Sequence, residues 1–171
     1  MSGMIILRFV HVPEMLTNLI LFDSDSPNGY SHVEAVTPDG EFLGAHVTGV
    51  EARPMDYDAG KFERQKFMLL SADVEMTDKF YHYLRSVTGE RYDYAAIFGF
   101  ITHFDINEKH TVICSGLQTL ALRWCLFFPV ALPVPAHRVS VRDLELGLTM
   151  RPDVREIKQN DPDFISHFRY K

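Results

Sequence analysis

The sequence predicts an α+β fold: an antiparallel sheet of about five strands packed against helices. Short β-branched and aromatic runs separated by turn signals occupy most of residues 4–70. At Val74 the hydrophobic period lengthens from two to about 3.6. Further on, Cys114 opens an apolar helix that prolines bring to a stop. A chain of 171 residues, 46% hydrophobic with 13 Phe and 7 Tyr, can bury one core, so residues 1–171 are expected to form a single domain.

Taken in order, residues 4–10 form an apolar, β-branched run that reads as a strand, and residues 13–22 suit a short helix. The stretch from Asp23 to Gly29 is rich in turn formers. Residues 30–36 are strand-like, Pro38-Asp39-Gly40 makes a hairpin turn, and residues 41–47 pair back. Thr48-Gly49 turns the chain into residues 50–54, and residues 64–70 supply a fourth strand of the meander. Met76, Phe80, Tyr83, Leu84 and Val87 then share one helical face, which predicts a helix over 75–88 closed by Gly89. Residues 94–101 suit another short helix, followed by a polar loop through Asp105, Asn107, Glu108 and Lys109.

From Ile113, the residues Leu117, Leu120, Ala121, Trp124 and Phe128 keep helical spacing, so the core-facing stripe of the last long helix begins beside Cys114. Ser140 is placed to cap a short helix through Gly147. The last twenty or so residues are charged and weakly patterned. There is no internal repeat, low-complexity tract or linker.

Composition narrows the function. Seventeen basic against 23 acidic residues give a net charge of −6, with no basic cluster of the kind that phosphate backbones require, so nucleic acid is not expected as a partner. The N-terminal MSGMIILRFVHVPEM shows no secretory signal. The most apolar stretch, residues 124–136, is broken by Pro129, Pro133 and Pro135 and is too short to span a bilayer. A soluble protein is expected, and nothing in the pattern specifies an oligomeric state. Cys114 and Cys125 lie about 16 Å apart along one helix, too far for a mutual disulfide.

Those thiols are not equivalent. A cysteine in the first turn of a helix meets unpaired N–H groups and the positive end of the macrodipole, which favour its thiolate. Cys114 is therefore the candidate nucleophile, whereas Cys125, beside Trp124 and Phe127-Phe128, reads as core. Activation needs an imidazole. Among histidines 11, 32, 46, 82, 103, 110, 137 and 167 no two have the i, i+4 spacing of a helical metal site, so no metal and no other cofactor are expected. His32 stands out because it enters a strand directly after a turn, with Glu34 two residues on and on the same face.

Tyr30-Ser31-His32-Val33, the run from Gly44 to Pro54, Gly89-Glu90-Arg91-Tyr92-Asp93 and Ile113-Cys114-Ser115 together resemble the circularly permuted branch of the NlpC-type papain-like superfamily. That branch includes YiiX/YaeF-like proteins, prophage-encoded relatives and, more distantly, lecithin retinol acyltransferase. The resemblance covers residues 29–145, and its hallmark is a histidine strand that precedes the cysteine helix. It implies a permuted papain-like domain with Cys114 as nucleophile, His32 as general base, and Tyr92 and Ser115 as substrate-side residues.

Many relatives carry an acidic residue where this chain has Gly44, which leaves the third catalytic place to His46 or Glu34. Relatives often read Cys-Ser-Glu where this chain has Cys114-Ser115-Gly116. The implied activity is that of a cysteine peptidase or amidase acting on a peptide or acyl substrate, with a peptidoglycan peptide as the cell-wall candidate. The implied location is cytoplasmic or phage-associated. The competing readings are an acyltransferase or lipid hydrolase of the same fold, and a binding or structural module that kept the fold without the activity.

Overall fold

Strands β1 (Ser2–His11), β2 (His32–Val36), β3 (Glu41–His46), β4 (Gly49–Pro54) and β5 (Arg64–Asp73) come first in the chain. Helix α1 (Val74–Ser86), the paired short strands β6 (Arg91–Tyr92) and β7 (Thr111–Val112), and helix α2 (Cys114–Trp124) follow. A 3-10 turn (Ala136–Arg138), α3 (Val141–Thr149), β8 (Val154–Ile157) and α4 (Pro162–His167) complete the order. The structure, a computed structural model, describes residues 2–13, 29–92, 111–126 and 134–168. Apart from Pro13 and Gly29 at their ends, the expected helices over 13–22 and 94–101, the turn after Asp23 and the polar loop through Asp105 lie outside the described residues.

Six strands form one sheet in the order β4-β3-β2-β1-β5-β8, antiparallel at every step. The α+β class with an antiparallel sheet is as expected, and the additional strand is β8. It lies in the tail whose charged residues hide any alternation: of its four positions only Ile157 is buried, and it pairs with Phe67. Strand β1 is central because its apolar side chains serve both faces. Ile5, Leu7 and Phe9 join Val33, Ala35, Leu43 and Leu70 in the larger core, which α1, α2 and α3 cover. Ile6 joins Val36, Phe42, Phe67 and Leu69 in a smaller core closed by Phe164 of α4.

Each main helix has an identifiable start. Asp73 caps α1 by accepting the Met76 N–H at 2.7 Å. Ser140 caps α3 in a capping box with Asp143, as its position in the sequence implies. Helix α1 ends at Ser86, and Gly89, at φ +93°, instead turns the chain so that its N–H donates to the Val50 carbonyl at 2.8 Å. On α2, Leu117, Ala121 and Leu122 are buried, but Trp124 is 61% exposed and faces Tyr83 across 5.8 Å between ring centroids. The expectation that Trp124 packs in the core is therefore corrected. Leu122 and Cys125 take the inner positions, because the helix meets the sheet about one residue round from the face that spacing suggested.

One polar feature runs through the smaller-core face. Arg8 on β1 stands opposite Glu34 on β2, and both are fully buried. Its guanidinium donates to Glu34 Oε1 at 2.7 Å and to Gln65 Oε1 at 2.8 Å, lies 2.8 Å from Asp58 Oδ2, and stacks 4.4 Å from the Phe42 ring. Removing one partner of such a pair strands the other charge away from water. Arg8→Leu is expected to lower stability by about 3–5 kcal/mol in urea unfolding. Arg8→Leu/Glu34→Leu is expected to lose less than Arg8→Leu alone. A double variant that loses the sum of the two single effects would show that the pair is not coupled.

Candidate active site

Strand alternation places His32 and Glu34 on one face of β2, and the antiparallel partner β3 ends with His46 beside them. The two imidazole rings lie 4.9 Å apart between centroids. His32 Nε2 is 3.4 Å and His46 Nε2 is 3.6 Å from the same oxygen, Glu34 Oε2. Tyr57, in the turn after β4, donates its hydroxyl to Oε2 at 3.2 Å, while Arg8 holds Oε1. The Glu34 carboxylate is thus fixed from both sides before either histidine uses it.

Cys114 belongs to the opposite core. It reaches His32 at the end of the sheet, where β2 begins and α2 packs on β2 and β3. The thiol makes a hydrogen-bonding contact with the His32 ring, and the backbone N–H groups of Val33 and Ser115 also face the sulfur. Ile113 precedes the helix and offers no side-chain cap to the first-turn N–H groups. Cys114 is 3% exposed and the His32 side chain 18%, so of the two the histidine is the more open to solvent.

The electrostatics follow from this arrangement. Burial alone would raise the Cys114 pKa, but the His32 charge and the two N–H groups outweigh it and hold the thiol below its ordinary value. Burial likewise opposes the His32 imidazolium, yet the Cys114 thiolate and then Glu34 raise it well above the usual histidine range. For Glu34 the burial penalty is overcome by His32 and Arg8, which keep it ionised. His46 goes the other way: burial and the neighbouring His32 charge push it down to about 3, so it is neutral. Burial and the Glu34 charge raise Tyr57, which remains a phenol and a donor.

The structure brings together four of the residues singled out in the sequence: Cys114, His32, Glu34 and His46. Of the two candidates for the third place, Glu34 has a carboxylate on the His32 ring, while His46 packs beside that ring and shares Glu34. Gly44 follows from this packing, since a Cβ there would stand 3.0 Å from Glu34 Cβ. Gly116 has a similar reason, because a Cβ would meet the Ala136 carbonyl at 3.1 Å where the 3-10 turn crosses the helix start. Ser115 spends its hydroxyl on the Val139 carbonyl at 2.6 Å and presents only its N–H to the sulfur. Tyr92 sits on β6, and its side chain lies outside the described residues.

Arg8, Tyr57 and Asp58 escaped the sequence reading. The available signal was Arg8, a lone charge inside an otherwise apolar strand. Also unread was the grouping of His32, Glu34 and His46, whose ligand atoms all lie within 4.8 Å of one another. It joins two strands, so a search for helical spacing passes over it. Among the described residues, it is the grouping of this kind that could hold a cation.

The pair has a direct signature. Iodoacetamide alkylation of Cys114 is expected to stay fast down to about pH 6, where an ordinary thiol near 8.5 is almost wholly protonated. In His32→Ala the rate at that pH is expected to drop at least about tenfold and to recover only as pH rises toward the ordinary thiol range. Equal rates in the two proteins would show that His32 does not activate Cys114.

No protein-family model and no curated protein sequence matches the chain. Among solved structures, the chain is similar to the crystal structure of the metalloprotein yiiX from Escherichia coli O157:H7, with a TM-score of 0.61 and 15% sequence identity. The match covers 94% of this chain and 98% of that one, so the two share a fold over nearly their whole lengths.

Proposed function

We propose that the protein is a cysteine hydrolase of the permuted NlpC-type papain-like kind, cleaving an amide bond by acyl transfer, with a peptidoglycan peptide as the substrate class. The observation that carries this reading is a half-buried imidazole placed between a thiol and an ionised carboxylate: His32 between Cys114 and Glu34. The fold shared with yiiX and the order of histidine strand before cysteine helix support it.

The chemistry balances on these groups. The Cys114 thiolate attacks the carbonyl carbon, forming a C–S bond, and the carbonyl electrons move to oxygen, where backbone N–H groups near the start of α2 stabilise the oxyanion. As the tetrahedral species collapses, the C–N bond breaks and the His32 imidazolium gives its proton to the leaving amine. Neutral His32 then takes a proton from water, whose oxygen attacks the thioester and releases the acid. The sulfur departs as thiolate, and His32 is again protonated. Glu34 acts through His32 as a positioning residue, holding the ring and favouring its charged form.

That yiiX is described as a metalloprotein bears on this site. His32, Glu34 and His46 fit a cation by donor type, and both Nε2 atoms are buried without a hydrogen bond of normal geometry among the described residues. A bound cation would supply positive charge and a polarised water at that face.

Incubation with purified cell walls tests the assignment. Soluble peptides carrying new amino termini are expected from the wild type, with at least about a thousandfold loss in Cys114→Ser. Exchange of acyl groups between thioesters, with no peptide release, would instead favour the acyltransferase reading. Neither activity, with Cys114 alkylating like an ordinary thiol, would leave a binding module.

A further inference from the structure

We propose that His32 Nε2, Glu34 Oε2 and His46 Nε2 form a binding site for one divalent transition cation of the zinc class, built on the imidazole that serves Cys114.

The geometry carries this inference. A tetrahedral ion with ligands at about 2.0–2.1 Å sets its donor atoms roughly 3.3–3.5 Å apart. Two edges of the triangle already stand at 3.4 and 3.6 Å, and the three donors lie within 4.8 Å of one another. Closing that triangle needs only small rotations of two rings. Among the described residues, His46 Nε2 has no hydrogen-bond partner although the side chain is 6% exposed, and its contact with Glu34 is longer than a hydrogen bond. A buried nitrogen aimed at a carboxylate it does not bond is unexplained by packing alone, and an ion between the two atoms would satisfy both.

The surroundings suit such an ion. Arg8 occupies Glu34 Oε1 and leaves Oε2 directed at the histidines, while Tyr57 donates to that same Oε2 and fixes its orientation. Two imidazoles and one carboxylate are a borderline donor set, right for zinc or cobalt and poor for calcium or magnesium, which take mostly oxygen. Three protein donors leave a coordination position open. Charge does not forbid occupancy, because the Glu34, Asp58 and Glu51 carboxylates lie around the site against the Arg8 and Arg53 cations.

Site and pair share one ring. A ring whose Nε2 carries a cation cannot become an imidazolium, the form that hands a proton to a leaving group. The cation would therefore hold the enzyme in a resting state. That consequence rests on the acyl-transfer reading, whereas the binding site itself does not.

The test uses the full chain, stripped with a chelator and then titrated with Zn2+ against a chromophoric zinc indicator and separately with Co2+ by visible absorbance. One equivalent of Zn2+ per chain is expected, with a Co2+ spectrum typical of low coordination number and without a sulfur charge-transfer band. Cys114→Ser is expected to bind as the wild type does, and His46→Gln at least about tenfold more weakly. Substoichiometric uptake by the wild type, a six-coordinate Co2+ spectrum, or an affinity unchanged in His46→Gln would overturn the proposal. So would loss of binding in Cys114→Ser. The wild-type spectrum decides even where a His46 variant fails to fold. Alkylation of Cys114 with and without Zn2+ separates the two claims. A fast thiol in the metal-free protein with no uptake of Zn2+ sinks the cation site alone, and stoichiometric uptake with an ordinary thiol sinks the acyl-transfer reading alone.

Discussion

The buried carboxylate of Glu34 is the constraint on which the rest of the site depends. A carboxylate without exposed surface is stable only where cations and donors replace its hydration. Arg8 supplies the charge from the neighbouring strand, and Tyr57 supplies a hydroxyl from the turn after β4. With those contacts made, Oε2 is presented to two imidazoles. Arg8 needs its own partners, and Asp58, Gln65 and the Phe42 ring provide them. The polar network therefore spans β1, β2, β3, β5 and the turn after β4. A change to any member would be felt at His32.

The sheet separates two environments that meet at one point. Cys114 lies with the larger core under α2, and the Glu34 network lies on the opposite face. They touch where β2 begins, because His32 is the first residue of that strand. Because β2 is an interior strand, the contact is made around its end and not along an edge of the sheet. Of two adjacent imidazoles, burial and mutual repulsion leave only one charged, and contact with the thiolate decides that it is His32.

Much of this was legible where the cause is local. Apolar, β-branched runs between turn signals located β1 to β5, the spacing of Phe80 and Leu84 located α1, and Ser140 marked the start of α3. Cys114 was readable from its place at a helix start, and Glu34 from sharing a face with His32. What escaped reading depends on pairing between distant segments. Arg8 is 26 positions from Glu34 along the chain, and no short pattern links them. Tyr57 and Asp58 lie in a turn that looks like any polar connection until it folds over the sheet. Strand β8 buries only Ile157 and so carries no alternation to detect. Gly44 read as a missing acid, but it is space occupied by Glu34. Trp124 misled because an apolar side chain at helical spacing implies burial only once the helix's contact face is known.

The proposed chemistry requires Cys114 and His32 to rest as a thiolate and an imidazolium, with Glu34 supporting the ring. Nitrogen-15 NMR of the histidine side chains in the metal-free protein measures this directly. At neutral pH both His32 nitrogens are expected to carry protons while His46 carries one, and Cys114→Ser is expected to bring His32 back toward ordinary histidine titration. A His32 that is neutral at neutral pH in the wild type, and unmoved by Cys114→Ser, would contradict it.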